Sequence, residues 1–210
     1  MQDVIIIGCG VTGAACAYAL SRYNCSVSVL EADNDVANGT TKANSAIIHA
    51  GYDPRPGTKM AELNVRGSRM TKELCKRLDV PYKEIGSLVL ALSEADMDCI
   101  RELYRRGTQN GVEGLQLLDA GQVRNMEPNL TQAVLGALYA PTAGIISPWE
   151  YCLAMAETAV RNGVELRRRC RVTAASAEGP SWASATGQPA DSRVTASISR
   201  TSSSSSTTRI

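Results

Sequence analysis

The strongest constraint on this chain lies in its first thirty-one residues. Asp3-Val4-Ile5-Ile6-Ile7 is a short apolar run of the kind that forms a buried parallel strand. Gly8-Cys9-Gly10-Val11-Thr12-Gly13 follows, a GxGxxG, and then the small-residue stretch Ala14-Ala15-Cys16-Ala17-Tyr18-Ala19-Leu20. A second apolar run, Val27 to Leu30, ends on Glu31. Strand, glycine turn, helix, strand and terminal acid is the order of a dinucleotide-binding βαβ unit. Gly8 lets the chain turn out of the strand. Gly10, without a Cβ, lets a pyrophosphate approach the backbone, and Gly13 lets the helix pack on the sheet. The helix N-terminus then offers free N–H groups and the positive end of its dipole. Glu31 stands 18 residues after Gly13, where a carboxylate accepts hydrogen bonds from a ribose diol and disfavours a 2′-phosphate. The alternative is a glycine turn that serves packing only.

Charge and cysteine usage exclude several classes. A net charge of +1 gives no overall field for nucleic acid or a membrane surface. The seven cysteines are scattered with no CxxC, so no metal site or disulfide framework is indicated, and free thiols in a reducing cytoplasm are expected. No apolar run reaches the roughly 18 residues that a bilayer span needs. The first strand starts at once, leaving no room for a signal peptide. The 44% hydrophobic content supports a packed core.

Beyond Glu31, Asn38 to Ser45 is polar and glycine-bearing, and Ala46 to Tyr52 is apolar, a pattern suited to a loop around a polar ligand. Residues 58–78 read as an amphipathic helix whose core face is Met60, Leu63, Gly67, Met70, Leu74 and Leu78. Strands are predicted at 87–92, 115–118 and 134–140. Helices are predicted from Ser93 to Asn110 and from Asp119 to Met126, with a turn at Pro141–Gly144. Ser147-Pro148-Trp149-Glu150 starts a helix that runs to Asn162. A strand over 164–172 carries the arginine run at its end, read as a solvated strand end or an anion contact. From Thr173 on, 17 of 38 residues are Ser or Thr and none is Leu. Such a segment cannot bury enough apolar surface to offset its ordering entropy, so a disordered tail is expected over 173–210.

These residues carry a family likeness. The N-terminal motif, Glu31, the stretch Gly39-Thr40-Thr41-Lys42-Ala43-Asn44-Ser45-Ala46-Ile47-Ile48-His49-Ala50-Gly51-Tyr52 and Ala140 to Pro148 resemble the FAD-dependent oxidoreductases of the D-amino-acid-oxidase superfamily. Within it, the chain is most similar to anaerobic-type glycerol-3-phosphate dehydrogenases and L-2-hydroxyglutarate dehydrogenases. The resemblance implies an α/β fold: a Rossmann-like FAD-binding βαβ core with part of an inserted α+β substrate domain. The segments expected are 1–52 (FAD-binding), 53–147 (partial substrate domain), 148–172 (return to the FAD-binding domain) and the tail.

The resemblance implies FAD as cofactor, with Gly8, Gly10, Val11, Thr12 and Gly13 along the pyrophosphate and Glu31 on the adenosine ribose. It places Thr40, Thr41, Asn44 and Ser45 at the pyrophosphate and ring system, Ala46, Ile47 and His49 near the isoalloxazine, and Val172 on the strand beside the adenine. The implied chemistry is hydride transfer from a small substrate, glycerol 3-phosphate or a 2-hydroxy acid, to the flavin. The implied partner is an electron acceptor, a quinone or an iron–sulfur protein, and the implied location is cytoplasmic or peripheral to the inner membrane. His49, the one histidine, is either the catalytic base or an ordering group at the flavin edge. Cys9 is either a reactive thiol or a buried filler. Tyr52 and Arg55 are substrate contacts or loop-surface residues, and Trp149 is a packing residue. The likeness stops near Thr173 although family members continue well past it, so a truncated or frame-shifted product is expected, the alternative being a long disordered tail on a functional short protein. The competing function is a catalytically inactive nucleotide-binding remnant.

Overall fold

A computed structural model describes residues 2–178, 193–200 and 207–209. The chain forms two compact units, one from residues 1–44 and 148–210, the other from residues 45–147.

Unit 1 begins with β1 (Val4–Ile7), α1 (Val11–Leu20) and β2 (Val27–Leu30). The chain returns to it through α5 (Pro148–Arg161), β9 (Glu165–Arg167) and β10 (Cys170–Glu178). Strands β1, β2 and β9 form a parallel sheet in that order. Central β2 is buried along its whole length, and its one polar side chain, Ser28, donates to Glu165 Oε2 at 2.9 Å. The β1–β2 register sets Ile7 opposite Leu30, so Gly8 and Glu31 leave the sheet side by side at its carboxyl end. Helices α1 and α5 pack on each other. The alanines of α1 permit this, with Ala14 and Ala17 fully buried.

The strand expected over 164–172 is broken in two. Arg169 adopts φ +53 and its N–H donates to Asp33 O, which turns the chain between β9 and β10. The arginine run is thus a bend; Arg167 pairs with Glu165, and Arg168 reaches Asn34 O. Beyond it, β10 pairs with β11 (Arg193–Arg200), and β11 with β12 (Thr207–Arg209), in an antiparallel sheet. Backbone pairing is indifferent to a Ser/Thr-rich composition, and Val194, Ala196 and Ile198 alternate at strand period. Residues 179–192, 201–206 and 210 of the expected tail lie outside the described residues.

Unit 2 opens with β3 (Ile47–Ile48), which pairs with β8 (Gly144–Ile146), itself paired with β4 (Tyr82–Lys83). That pairing takes residues 45–52 into unit 2, although their sequence groups them with the nucleotide segment. A second antiparallel sheet runs β5 (Ser87–Ala91), β7 (Gly136–Ala140), β6 (Gln116–Asp119). Helices α3 (Glu94–Gln109) and α4 (Ala120–Met126) pack on that sheet. Its core gathers Tyr52, Val65, Ile100, Leu138 and Ala140. Side-chain caps start three helices, at Thr58, Ser93 and Asp119, the last as a full capping box.

Helix α2 (Lys59–Leu78) covers the predicted span but turns a different face inward. Its buried residues are Ala61, Val65 and Cys75, while Met60, Leu63 and Met70 are exposed. Small side chains let the helix lie close to its neighbours, whereas the longer apolar stripe points away. Among the described residues, no helix is long and apolar enough to cross a membrane.

Candidate functional site

The carboxyl ends of β1 and β2 bring the predicted residues of unit 1 together. Gly8 adopts φ +92, a conformation that turns the chain out of β1 and favours glycine. A Cβ on Gly13 would stand 2.0 Å from Gly8 O, so only glycine allows α1 this close to the turn. A Cβ on Gly10 would meet Thr41 Oγ1 at 3.2 Å. The three glycines thus have separate jobs: a turn, a close approach and a packing contact.

Glu31 is fixed against the turn. Cys9 N donates to its Oε2 at 2.6 Å, and Asp33 N donates to its Oε1 at 2.9 Å. A carboxylate offers about four acceptor sites, so these two amides leave capacity for a diol. The other side of the turn is held as well. Cys9 O accepts from Ala37 N at 3.0 Å and from Cys152 Sγ at 3.5 Å. Sequence reasoning missed Cys152; a lone cysteine inside an apolar helix carries no signal of this contact.

Burial pushes the Cys9 thiol up to about 12, helped by nearby Cys152 and the Glu31 and Asp35 carboxylates. Cys152 is pushed up to about 11, by burial first and then by Glu31. Both thiols are fully buried. Cys9 is therefore the small filler and not the reactive thiol of the two readings.

The N-terminus of α1 has no side-chain cap of its own and no acidic residue in its first turn. Thr41, on the 3-10 turn Thr40–Lys42, supplies a hydroxyl that accepts from Val11 N at 3.0 Å. Val11 N–H is therefore engaged within the protein, and Thr41 keeps its own O–H to donate onward. The amides of Thr12 and Gly13 have no partner among the described residues, as expected for the first turn of a helix. Asn44 Nδ2 donates to Thr40 O and Thr41 O, at 3.1 and 2.7 Å, and so closes that 3-10 turn. Thr40 and Asn44 are exposed. Val172 packs with Leu30, Cys170 and Ile5 beside the sheet.

The remaining predicted residues belong to unit 2. Ser45, Ile47 and His49 are exposed, on and around β3. Ala46 takes φ +61, a strained value for a residue with a Cβ, and its carbonyl accepts from Ile146 N. Asn110, at the end of α3, donates to Gly51 O and Pro54 O at 3.0 and 2.9 Å, anchoring the segment that follows His49. Periodicity reads Asn110 only as a helix stop. Tyr52 is buried, and burial raises its phenol, so it is not the loop-surface residue of the two readings. Arg55 is exposed, and so is Trp149, contrary to its expected packing role.

Known proteins resemble this chain. The family model described as FAD dependent oxidoreductase matches residues 3–198, beyond Thr173, where the likeness was expected to stop. A glycerol 3-phosphate dehydrogenase from Caloramator mitchellensis is 53% identical over 166 residues, covering 79% of this chain and 35% of the relative. The mitochondrial L-2-hydroxyglutarate dehydrogenase of Pongo abelii is 34% identical over 157 residues, covering 74% of this chain and 37% of the relative. Among solved structures, the dithionite-reduced L-alpha-glycerophosphate oxidase of Mycoplasma pneumoniae with FAD bound is similar with a TM-score of 0.79 and 30% identity. That match covers 84% of this chain and 47% of the other. The chain spans about a third of the length of these two curated relatives. On the match over residues 3–198, the chain belongs to the FAD dependent oxidoreductase family.

Proposed function

We propose that this chain binds FAD through unit 1 and serves the oxidation of a small hydroxylated substrate, glycerol 3-phosphate or a 2-hydroxy acid. The observation that carries the reading is the convergence of the glycine turn, Glu31 and Thr41 at one end of one parallel sheet. A dinucleotide needs an anion cradle and a ribose acceptor close to each other, and this arrangement would serve as both. Gly8, Gly10 and Gly13 keep the cradle open to a pyrophosphate. The amides of Thr12 and Gly13 would donate to it, and Thr41 would pass on a hydrogen bond from its hydroxyl. Val11 lends its amide to Thr41 and shapes the cradle indirectly. Glu31 would accept from the adenosine ribose, with Val172 near the adenine.

When bound, the flavin would supply the acceptor for a hydride from the substrate carbon. Ser45, Ala46, Ile47 and His49 are assigned to the ring end, by family likeness. His49 would take the hydroxyl proton of the substrate as general base. Electrons would then leave to a quinone or an iron–sulfur protein. The substrate choice rests on the names of the relatives at 53% and 34% identity.

Titration of the purified chain with FAD and with NADH, followed by flavin fluorescence and by dialysis, tests the reading. FAD should bind and NADH should not. Glu31→Ala should weaken FAD binding about tenfold or more, the value of a hydrogen bond to a charged group. Tight NADH binding without FAD binding would remove the proposal. FAD binding without reduction by either substrate would instead favour the catalytically inactive nucleotide-binding remnant.

A further inference from the structure

Helix α2 carries a second pattern besides the one that packs it. Met60, Leu63, Gly67, Met70 and Leu74 recur at spacings of three and four, the a/d seam of a coiled coil over two heptads. The residues that α2 buries, Ala61, Val65 and Cys75, lie roughly 100° to 180° around the helix from the middle of that seam. Met60 is 69% exposed, Leu63 55% and Met70 48%. A heptad seam of long apolar side chains facing outward is an interaction surface and not a chance scatter of apolar residues.

We propose that a second copy of this chain covers the seam, the two α2 helices packing antiparallel across a two-fold axis. Self-complementarity selects this occupant. In one antiparallel register Leu63 faces Leu74 of the second copy, and Gly67 faces Met70 of the second copy. Each layer occurs twice by symmetry. A glycine opposite a methionine gives the long side chain room, and a Cβ on Gly67 would have nothing within 4 Å in the single chain. The same register brings Arg66 beside Glu73 of the second copy, again twice, at the flanking g positions. Arg66 and Glu73 form no ion pair among the described residues, so both are available for this contact. The opposite flank pairs Asn64 with Thr71, two neutral polar residues. A parallel pairing would set each g position against an e position, Asn64, Thr71 or Leu78, and leave both charges without a counterpart.

Sedimentation of the full chain over a dilution series tests this. The mass should approach twice the 22.3 kDa chain mass at high concentration and fall to the single-chain value on dilution. Met70→Lys should be monomeric throughout, with helical circular dichroism unchanged. Arg66→Glu alone and Glu73→Arg alone should each weaken the dimer about tenfold, since two attractive flanking contacts become repulsive. Mixing these two variants should restore the affinity, because each then meets its opposite charge. A wild-type chain that stays monomeric overturns the proposal, and protection of Met60 and Met70 from oxidation in that monomer would assign the seam to a cover within the chain. An associated species indifferent to Met70→Lys, or failure of the mixed variants to recover, overturns it equally.

Discussion

At the scale of single residues, the glycine turn divides its labour in a way that separates packing from binding. The 2.0 Å approach that a Gly13 Cβ would make is to a backbone oxygen, which cannot swing aside as a side chain can. Gly13→Ala should therefore cost about 3 kcal/mol, the upper part of the range for overpacking, read from the midpoint of urea unfolding. An unchanged midpoint would show that α1 is less tightly set on β1 than the geometry requires. The glycines and Glu31 were legible from the sequence because each is required locally, by φ or by strand position. The engagement of Val11 N–H by Thr41 was not, because the two residues are thirty positions apart. Tyr52 was misread for the same reason: a tyrosine beside a turn looks exposed until the core of unit 2 closes over it.

At the scale of elements, the turn after β1 is held by what surrounds it. Helix α5 brings Cys152 against Cys9 O, and β2 brings Glu31 against Cys9 N. Two thiols are thereby enclosed next to a carboxylate, which makes their ionised forms costly. An unfolded thiol loses its proton near its ordinary value of 9.0, whereas folded Cys9 and Cys152 retain theirs to about 12 and about 11. Between those limits the folded chain binds more protons than the unfolded one. This contribution is fully present below about pH 9 and is lost as pH rises toward 11 and 12. Urea unfolding at a series of alkaline pH values should show stability falling over that window, and Cys152→Ala should make the fall shallower. A flat alkaline profile would mean that the two thiols are not enclosed as described. Element positions themselves were largely readable, since caps such as Thr58, Ser93 and Asp119 are local signals. Strands β3 and β4 were not, because two-residue strands exist only through their pairing with β8.

At the scale of the whole molecule, unit 2 is one continuous run of chain, whereas unit 1 is assembled from two distant pieces. Residues 45–147 should thus fold alone with a cooperative thermal transition, carrying both antiparallel sheets and their helices. Residues 1–44 alone should not, since β2 would lose β9 and α1 would lose α5. Circular dichroism melts of the two pieces check this; a non-cooperative melt of 45–147 would make the two units interdependent.

The sequence by itself determined the βαβ opening, the acid at the end of β2 and the order of most helices and strands. Those features depend on side-chain period, glycine conformation and capping, all of which act within a few residues. Tertiary structure alone decided which face of α2 turns inward, where the chain crosses between units, and that Cys9 is enclosed and Val11 engaged. Hydrophobic pattern fixes that a helix has an apolar stripe, but burial depends on which stripe fits the space its neighbours leave. In α2 that space admits Ala61, Val65 and Cys75 and leaves Met60, Leu63 and Met70 outside.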